Sequence, residues 1–135
     1  MIRLAITDDS GPVRENLERT LSYFEDLEIV WTAADGDEAV KNIASLRPLP
    51  DLILMDIEMR RMNGVEATRR IREMAPEVHI LMLTIFEEED HIFHAIRAGA
   101  AGYLLKDERP ARLHQAILDA HEGRMPMSPL VAGKA

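Results

Sequence analysis

The chain has 135 residues, of which 47% are hydrophobic and 30% charged, and it contains no cysteine. One hydrophobic core suffices at this length, because such a chain buries roughly two-thirds of its unfolded surface. The missing cysteine excludes disulfides, thiol catalysis and iron–sulfur chemistry. The net charge of −8 repels a phosphate backbone, so we expect no direct nucleic-acid binding by this segment. Without a signal peptide or an apolar run near the roughly 18 residues of a membrane span, we predict a cytoplasmic protein with no membrane contact.

Short apolar runs alternate along the chain with longer amphipathic segments. The runs, each typical of a strand, cover residues 2–6, 29–33, 52–55, 78–83 and 101–105. Between them, apolar residues recur at helical spacing, as at Val13, Leu17 and Leu21. Residues 52–55 and 80–83 are apolar at every position, which is typical of central strands covered by helices on both faces. The pattern predicts five βα units in succession.

Five such units cover both faces of a sheet only when the chain winds outward in two directions from the first strand, because crossovers are right-handed. The predicted fold is therefore α/β, a doubly wound parallel sheet of order 2-1-3-4-5, the flavodoxin-like (βα)5 arrangement. Ligands of such sheets bind beyond the carboxyl ends of strands 1 and 3. The periodicity fades after Gly123, so we assign residues 1–123 to this domain and interpret residues 124–135 as the start of a linker.

Three carboxylates are predicted at this crevice. Asp8 and Asp9 follow the first strand, and Asp56 follows the third. Two unit charges about 4 Å apart repel by roughly 4 kcal/mol at an effective dielectric of about 20, so such a cluster requires a cation. Mg²⁺ is the expected ion, because it binds a few carboxylate oxygens and keeps several waters. The alternative is that Asp8 and Asp9 cap the first helix and Asp56 is a solvated loop residue.

Two further polar residues are predicted at the same edge. Thr84 closes the fourth strand and Lys106 follows the fifth. Their hydroxyl and ammonium groups would serve a phosphoryl group on Asp56, whose oxygens need donors and a balancing charge. Alone, a strand-ending threonine or a lysine after a strand is ordinary. Together with the carboxylates, they provide the nucleophile, metal ligands, donor and cation of in-line phosphoryl transfer.

Motifs lie in order at the predicted strand ends, namely Thr7-Asp8-Asp9, Asp56-Ile57-Glu58-Met59, Met62-Asn63-Gly64, Leu83-Thr84 and the run of residues 98–107 that ends in Lys106-Asp107. Over about residues 2–122 the chain resembles the receiver domain of a two-component response regulator. The last motif is similar to the NarL/FixJ subfamily, whose members usually carry a LuxR-type helix-turn-helix output domain after the receiver. We therefore expect a fragment of a transcription regulator, with the linker leading to an output domain absent from this chain.

The resemblance implies a role for each site residue. Asp56 would accept the phosphoryl group from a phosphohistidine on a sensor histidine kinase. Asp8, Asp9 and Asp56 would hold Mg²⁺ together with the backbone carbonyl of Glu58, and Lys106 would pair with the phosphoryl oxygens. The chain would thus be a phosphoprotein of a phosphorelay that promotes only its own phosphorylation and dephosphorylation, and not an enzyme with a separate substrate.

The resemblance also implies a switch and a dimer face. Thr84 would swing toward the phosphoryl group and Tyr103 would turn inward behind it, altering a surface that controls an output domain or dimerisation. On the last predicted helix, Leu118 lies between His114 and His121, off the apolar stripe that faces the core. An exposed apolar strip of this kind is typical of a partner surface. Because the resembling subfamily often pairs through its first and last helices, we expect weak homodimerisation there.

Two positions depart from the family's pattern. Arg60 stands where the family usually has proline, so the loop after Asp56 loses a fixed dihedral and gains a cation. Ile85 is bulkier than the small residue common after the threonine, and Phe86 follows it, so we expect a narrower mouth to the site.

Two rival interpretations stay open. In the first, the narrowed mouth blocks phosphorylation and the chain is a phosphorylation-independent interaction module. In the second, it is a Mg²⁺-dependent phosphatase acting on small phosphate esters. The phosphatase is disfavoured because Asp56 is followed by Ile57 and Glu58, without the Asp-x-Asp pair of one large phosphatase class.

Overall fold

A single parallel sheet in the order β2-β1-β3-β4-β5 organises the chain, in a computed structural model that describes residues 1–134. This order confirms the predicted doubly wound fold, and β2 lies at an edge. β2 begins two residues before the apolar run that predicted it, because Leu27 is also buried there. The strands are β1 Ile2–Thr7, β2 Leu27–Ala33, β3 Leu52–Met55, β4 His79–Thr84 and β5 Gly102–Leu105.

Helices cover both faces of the sheet and create a core on each side. The helices are α1 Gly11–Leu21, α2 Gly36–Ser45, α3 Gly64–Met74, α4 Glu89–Arg97, α5 Pro110–His121 and the short α6 Pro129–Ala132. One core lies between the sheet and α1 and α5, and the other between the sheet and α2, α3 and α4. Every side chain of β3 is buried, which explains its wholly apolar sequence. Within residues 1–134, no helix has the length and apolar character needed to cross a membrane.

Side-chain caps begin the first three helices at the carboxyl edge of the sheet. The side chains of Ser10, Asp35 and Asn63 each accept a backbone hydrogen bond from the first turn of α1, α2 and α3. Gly99 and Gly123 take positive φ angles of 105° and 90° after α4 and α5, as expected for helix-ending glycines. Only residues 8–10 separate β1 from α1 and only residues 34–35 separate β2 from α2, so the residues that follow these strands stay at one edge of the sheet.

The residues after Gly123 pack back onto the domain. We call residues 125–134 the C-terminal strap. Met127 forms a parallel bridge with Tyr103 of β5, and Val131 of α6 is fully buried. The structure thus places the strap along the free edge of β5. That residues 124–135 lead onward to an output domain stays a prediction, and Ala135 lies outside the described residues.

Candidate functional site

The topology brings three carboxylates together beyond the central strands. Asp8 and Asp9 directly follow β1, and Asp56 directly follows β3, the neighbour of β1 in the sheet. Each offers one carboxylate oxygen, and these oxygens all lie within 4.8 Å of one another. The cluster forms because parallel strands end at the same edge of a sheet. Ser10 caps α1, so the alternative in which Asp8 and Asp9 cap this helix is wrong.

Lys106 lies between two of these carboxylates. Its Nζ is 2.7 Å from Asp8 Oδ2 and 3.0 Å from Asp56 Oδ2. The two aspartate side chains are only 2% and 8% exposed, and the lysine side chain is 22% exposed. Buried carboxylates need such a partner, because an unpaired charge inside a protein costs several kcal/mol. The predicted position of Lys106 after β5 therefore puts its ammonium in direct contact with Asp56.

Burial and charge oppose each other at this cluster. Burial raises the pKa of Asp56 above its ordinary value, the hydrogen bond and charge of Lys106 offset part of this rise, and the nearby charge of Asp8 adds to it. For Lys106, burial acts to lower the pKa, but the hydrogen bonds to Asp8 and Asp56 outweigh it and raise the pKa. The lysine therefore stays cationic, whereas ionised Asp56 is less stable here than in water.

The backbone around Asp56 is fixed by a closely folded loop. Asp56 N donates to Thr7 O at 3.0 Å, and Ile57 N donates to the Asp56 Oδ1 atom at 2.8 Å. Gly64 N donates to Ile57 O at 2.7 Å. A Cβ atom at Gly64 would lie 1.8 Å from the backbone oxygen of Asp56, so only glycine fits. The Met-Asn-Gly motif therefore sets where α3 begins and holds Asp56 in place.

Asp8 is held by a residue that the sequence did not single out. Arg14 of α1 donates from its guanidinium to the backbone oxygen of Asp8 at 2.7 Å, and Ser10 N donates to Asp8 Oδ1 at 2.9 Å. Arg14 lies in the first turns of α1, which begins shortly after Asp8 and Asp9. A basic residue at this position is the sequence signal that could have predicted the contact. Its positive charge sits beside the carboxylate cluster.

Thr84 and Tyr103 are linked through the loop between β4 and α4. Both residues are fully buried. Phe86 N donates to Thr84 Oγ1 at 3.4 Å, and the Tyr103 hydroxyl donates to Phe86 O at 2.6 Å. Burial raises the pKa of Tyr103, so the phenol stays protonated and remains a donor. The Thr84 hydroxyl lowers the pKa of Asp56, as a smaller effect than burial or Lys106.

The residues that depart from the family's pattern lie at the rim. The side chains of Glu58 and Arg60 are exposed. Ile85 is 68% exposed, and the Phe86 ring stacks on that of His91 in α4 at 4.6 Å. Ile85 therefore faces solvent and Phe86 packs against α4. These are the positions of the two bulky side chains that were expected to narrow the mouth of the site.

The predicted dimer face on α5 is only partly open. His114 stacks on Phe24 at 4.1 Å and lies 2.8 Å from Asp26 Oδ1, so its ring is already engaged. Leu118 is half-buried against the α1 and α5 core, and His121 is exposed. Nearer the start of α5, α1 and α5 enclose an apolar groove of about 390 Å³ lined by residues that include Val13, Leu17, Lys106 and Leu113.

The carboxylate cluster could hold a metal ion. Its donors are hard oxygen atoms, which Mg²⁺ and Ca²⁺ prefer over nitrogen or sulfur. Three carboxylates and the Lys106 ammonium leave a formal charge of −2, which one divalent cation balances. The residues present therefore fit a hard dication in both donor type and charge.

Comparison with known proteins identifies what this arrangement is similar to. Residues 4–118 match the family model described as the response regulator receiver domain. The chain is 42% identical over 129 residues to the transcriptional regulatory protein LnrK of Bacillus subtilis, covering 96% of this chain and 58% of LnrK. It is 38% identical over 123 residues to the oxygen regulatory protein NreC of Staphylococcus epidermidis, covering 90% of this chain and 56% of NreC. The chain thus spans just over half the length of these relatives.

Solved structures agree with the sequence relatives. A LuxR-family two-component response regulator from Aurantimonas sp. SI85-9A1 is 34% identical, with a TM-score of 0.92 over 99% of this chain and 94% of that chain. The signal receiver domain of the response regulator NarL from Mycobacterium tuberculosis is 32% identical, with a TM-score of 0.85 over 91% of this chain and 98% of that chain. Similarity therefore extends over the whole site.

Proposed function

The chain belongs to the family of response regulator receiver domains, of the LuxR type, and from this membership we propose that Asp56 accepts a phosphoryl group from a histidine kinase in a Mg²⁺-dependent reaction. One observation carries the proposal: the Lys106 ammonium contacts Asp56 at 3.0 Å within a cluster of three carboxylates. The cluster supplies an acceptor oxygen, a cation for the incoming phosphoryl oxygens and ligands for a metal ion. A site lacking this cation or these ligands would favour the phosphorylation-independent alternative.

The transfer follows from the groups at the site. An Asp56 carboxylate oxygen forms a bond to phosphorus while the bond from phosphorus to the donor's leaving atom breaks; with acetyl phosphate, acetate leaves with that electron pair. Lys106, which contacts Asp56 in this structure, would donate to the phosphoryl oxygens after the transfer and balance their charge. Asp8, Asp9, Asp56 and the backbone carbonyl of Glu58 would hold Mg²⁺, which supplies positive charge against the carboxylate and phosphoryl oxygens when bound.

Phosphorylation would be read out through Thr84 and Tyr103. The modification adds about one negative charge and new acceptor oxygens beside Thr84. The hydroxyl of Thr84 would turn toward these oxygens, and the loop between β4 and α4, where Phe86 O accepts the hydrogen bond of Tyr103, would follow. Their contacts in this structure, at 3.4 Å and 2.6 Å, support such coupling.

The partners follow from the family and from the length of its members. A sensor histidine kinase would supply the phosphoryl group. A C-terminal helix-turn-helix domain would be the output partner of the receiver, since the matched region spans 58% of LnrK and 56% of NreC. The α5 face with His114, Leu118 and His121 would pair two copies through α1 and α5.

The proposal is tested by phosphorylating the chain with acetyl phosphate and Mg²⁺ and measuring the intact mass. We expect one added phosphate, none in Asp56→Asn, and normal labelling in Asp107→Asn, which changes an exposed aspartate next to Lys106. Chelation of Mg²⁺ should abolish the adduct. A chain that gains no phosphate would be an interaction module, and turnover of phosphate esters without an adduct would indicate a phosphatase.

A further inference from the structure

The C-terminal strap pairs with the open edge of β5. Tyr103 N donates to Pro126 O at 3.0 Å, and Ser128 N donates to Tyr103 O at 3.1 Å. Leu105 N donates to Ser128 Oγ at 2.9 Å. An edge strand otherwise leaves such groups to water or to another chain. The strap therefore satisfies the edge of β5 as a short added strand would.

The fit between the strap and β5 is close. A Cβ atom at Gly102 would lie 2.6 Å from Pro126 O, so the strap can approach only because residue 102 is glycine. Val131 is fully buried and belongs to the same core cluster as Tyr103 and Leu105. Ser128 is 2% exposed, and its hydroxyl donates to Glu108 at 2.6 Å. Burial and hydrogen bonding thus fix the strap over the tyrosine.

The strap also reaches the loop between β4 and α4. Lys134 Nζ donates to Glu87 O at 2.9 Å. The neighbouring Phe86 is held by Thr84 through its N–H and by Tyr103 through its carbonyl. One short loop therefore carries the contacts of Thr84, of Tyr103 and of the strap. A shift of this loop changes all three together.

We propose that the C-terminal strap is a latch that senses the state of Asp56, docked on β5 in the unmodified protein and released when the β4–α4 loop shifts. This inference rests on the proposed function, because the modification is what would move Thr84. When the threonine hydroxyl turns to the phosphoryl oxygens, the 3.4 Å contact with Phe86 N is lost. The carbonyls of Phe86 and Glu87, which accept hydrogen bonds from Tyr103 and Lys134, lie on that same loop. A shift of the loop therefore breaks the hydrogen bond that holds the C-terminal end of the strap. The strap then gains freedom.

Docking of the strap is tested first, on the full chain in metal-free buffer, by amide hydrogen exchange at Tyr103 and Leu105. Val131→Ala should speed exchange at both amides by roughly tenfold, because it weakens local docking without opening the sheet. Leu130→Ala, on the same short helix but 57% exposed, is the matched control and should change nothing. Ser128→Ala removes the acceptor of Leu105 directly and serves as a second variant. Unchanged exchange in both strap variants would overturn the latch.

Coupling is tested in two further arms, with the amide of Ile53 in β3 as the reference for global opening. Tyr103→Phe removes only the hydroxyl contact to Phe86 and should speed exchange at Leu105 several-fold. Acetyl phosphate with Mg²⁺, with the adduct confirmed by mass, should do the same in the wild-type chain and not in Asp56→Asn. An adduct without faster exchange at Leu105 would overturn the latch and leave the proposed function intact. Failure to form the adduct would instead overturn the proposed function and, with it, the release step.

Discussion

The sharpest test of the site's electrostatics is Lys106→Met. This change keeps the apolar stem of the side chain and removes the ammonium that lies 2.7 Å from Asp8 and 3.0 Å from Asp56. The two carboxylates then face each other at 2% and 8% exposure. Removing one partner of a buried ion pair costs about 3–5 kcal/mol, whereas an exposed pair is worth about 0–1 kcal/mol. Because the Lys106 side chain is 22% exposed, we expect a loss of about 2–3 kcal/mol in the free energy of unfolding.

The assay is urea unfolding at neutral pH without divalent cations, followed by circular dichroism. At an m-value of about 2 kcal/mol/M, the midpoint should fall by roughly 1 M. Mg²⁺ should restore part of the loss, because a dication can replace the ammonium between the carboxylates. In an Asp56→Asn background the same lysine change should cost at least about 1 kcal/mol less, a coupling typical of groups in contact. A loss below about 1 kcal/mol that is equal in both backgrounds would show that water, not Lys106, compensates these charges.

Three further changes probe the same geometry and its surroundings. Asp56→Asn should raise the free energy of unfolding in metal-free buffer at neutral pH, because Lys106 keeps Asp8 as its partner and the amide carries no charge that burial penalises. Because the folded pKa of Asp56 is raised, its ionisation destabilises the fold above that pKa, so the gain should vanish in thermal melts as the pH falls below about 3.9. Gly64→Ala should destabilise by more than about 3 kcal/mol and impair phosphorylation, since its Cβ would meet the Asp56 backbone at 1.8 Å, whereas Gly11→Ala, with its nearest neighbour at 3.7 Å, should be tolerated. Light scattering after acetyl phosphate treatment should detect dimers that Leu118→Glu prevents; a monomer under every condition would contradict pairing through α5.

The strand order could be predicted from the apolar pattern of the strands and the handedness of their crossovers. Wholly apolar runs at residues 52–55 and 80–83 indicate central strands, and the right-handed crossover rule then leaves few arrangements. The order places the ends of β1 and β3 side by side, so Asp8, Asp9 and Asp56 had to converge. Such an inference needs no knowledge of side-chain packing.

Contacts that depend on packing could not be predicted. The contact of Arg14 with the Asp8 backbone depends on a rotamer of a long side chain at the start of α1. The approach of Gly64 to Asp56 depends on the path of an irregular loop. The docking of the strap has no periodic signal either, because its pairing with β5 involves a single bridge and one serine hydroxyl. Periodicity reports regular elements, and these contacts lie outside them.

The same geometry predicts opposite effects for two neighbouring residues, and this opposition has a physical meaning. Lys106 stabilises the fold because it compensates charges that burial has already made costly, whereas Asp56 is one of those costly charges. A sequence selected for stability alone would hold an amide at position 56, which keeps the shape of the site without its charge. Retaining a carboxylate there leaves a local electrostatic strain that a bound cation can relieve. Stability and the proposed reactivity at Asp56 are therefore opposed, as is typical of a residue that carries out a reaction.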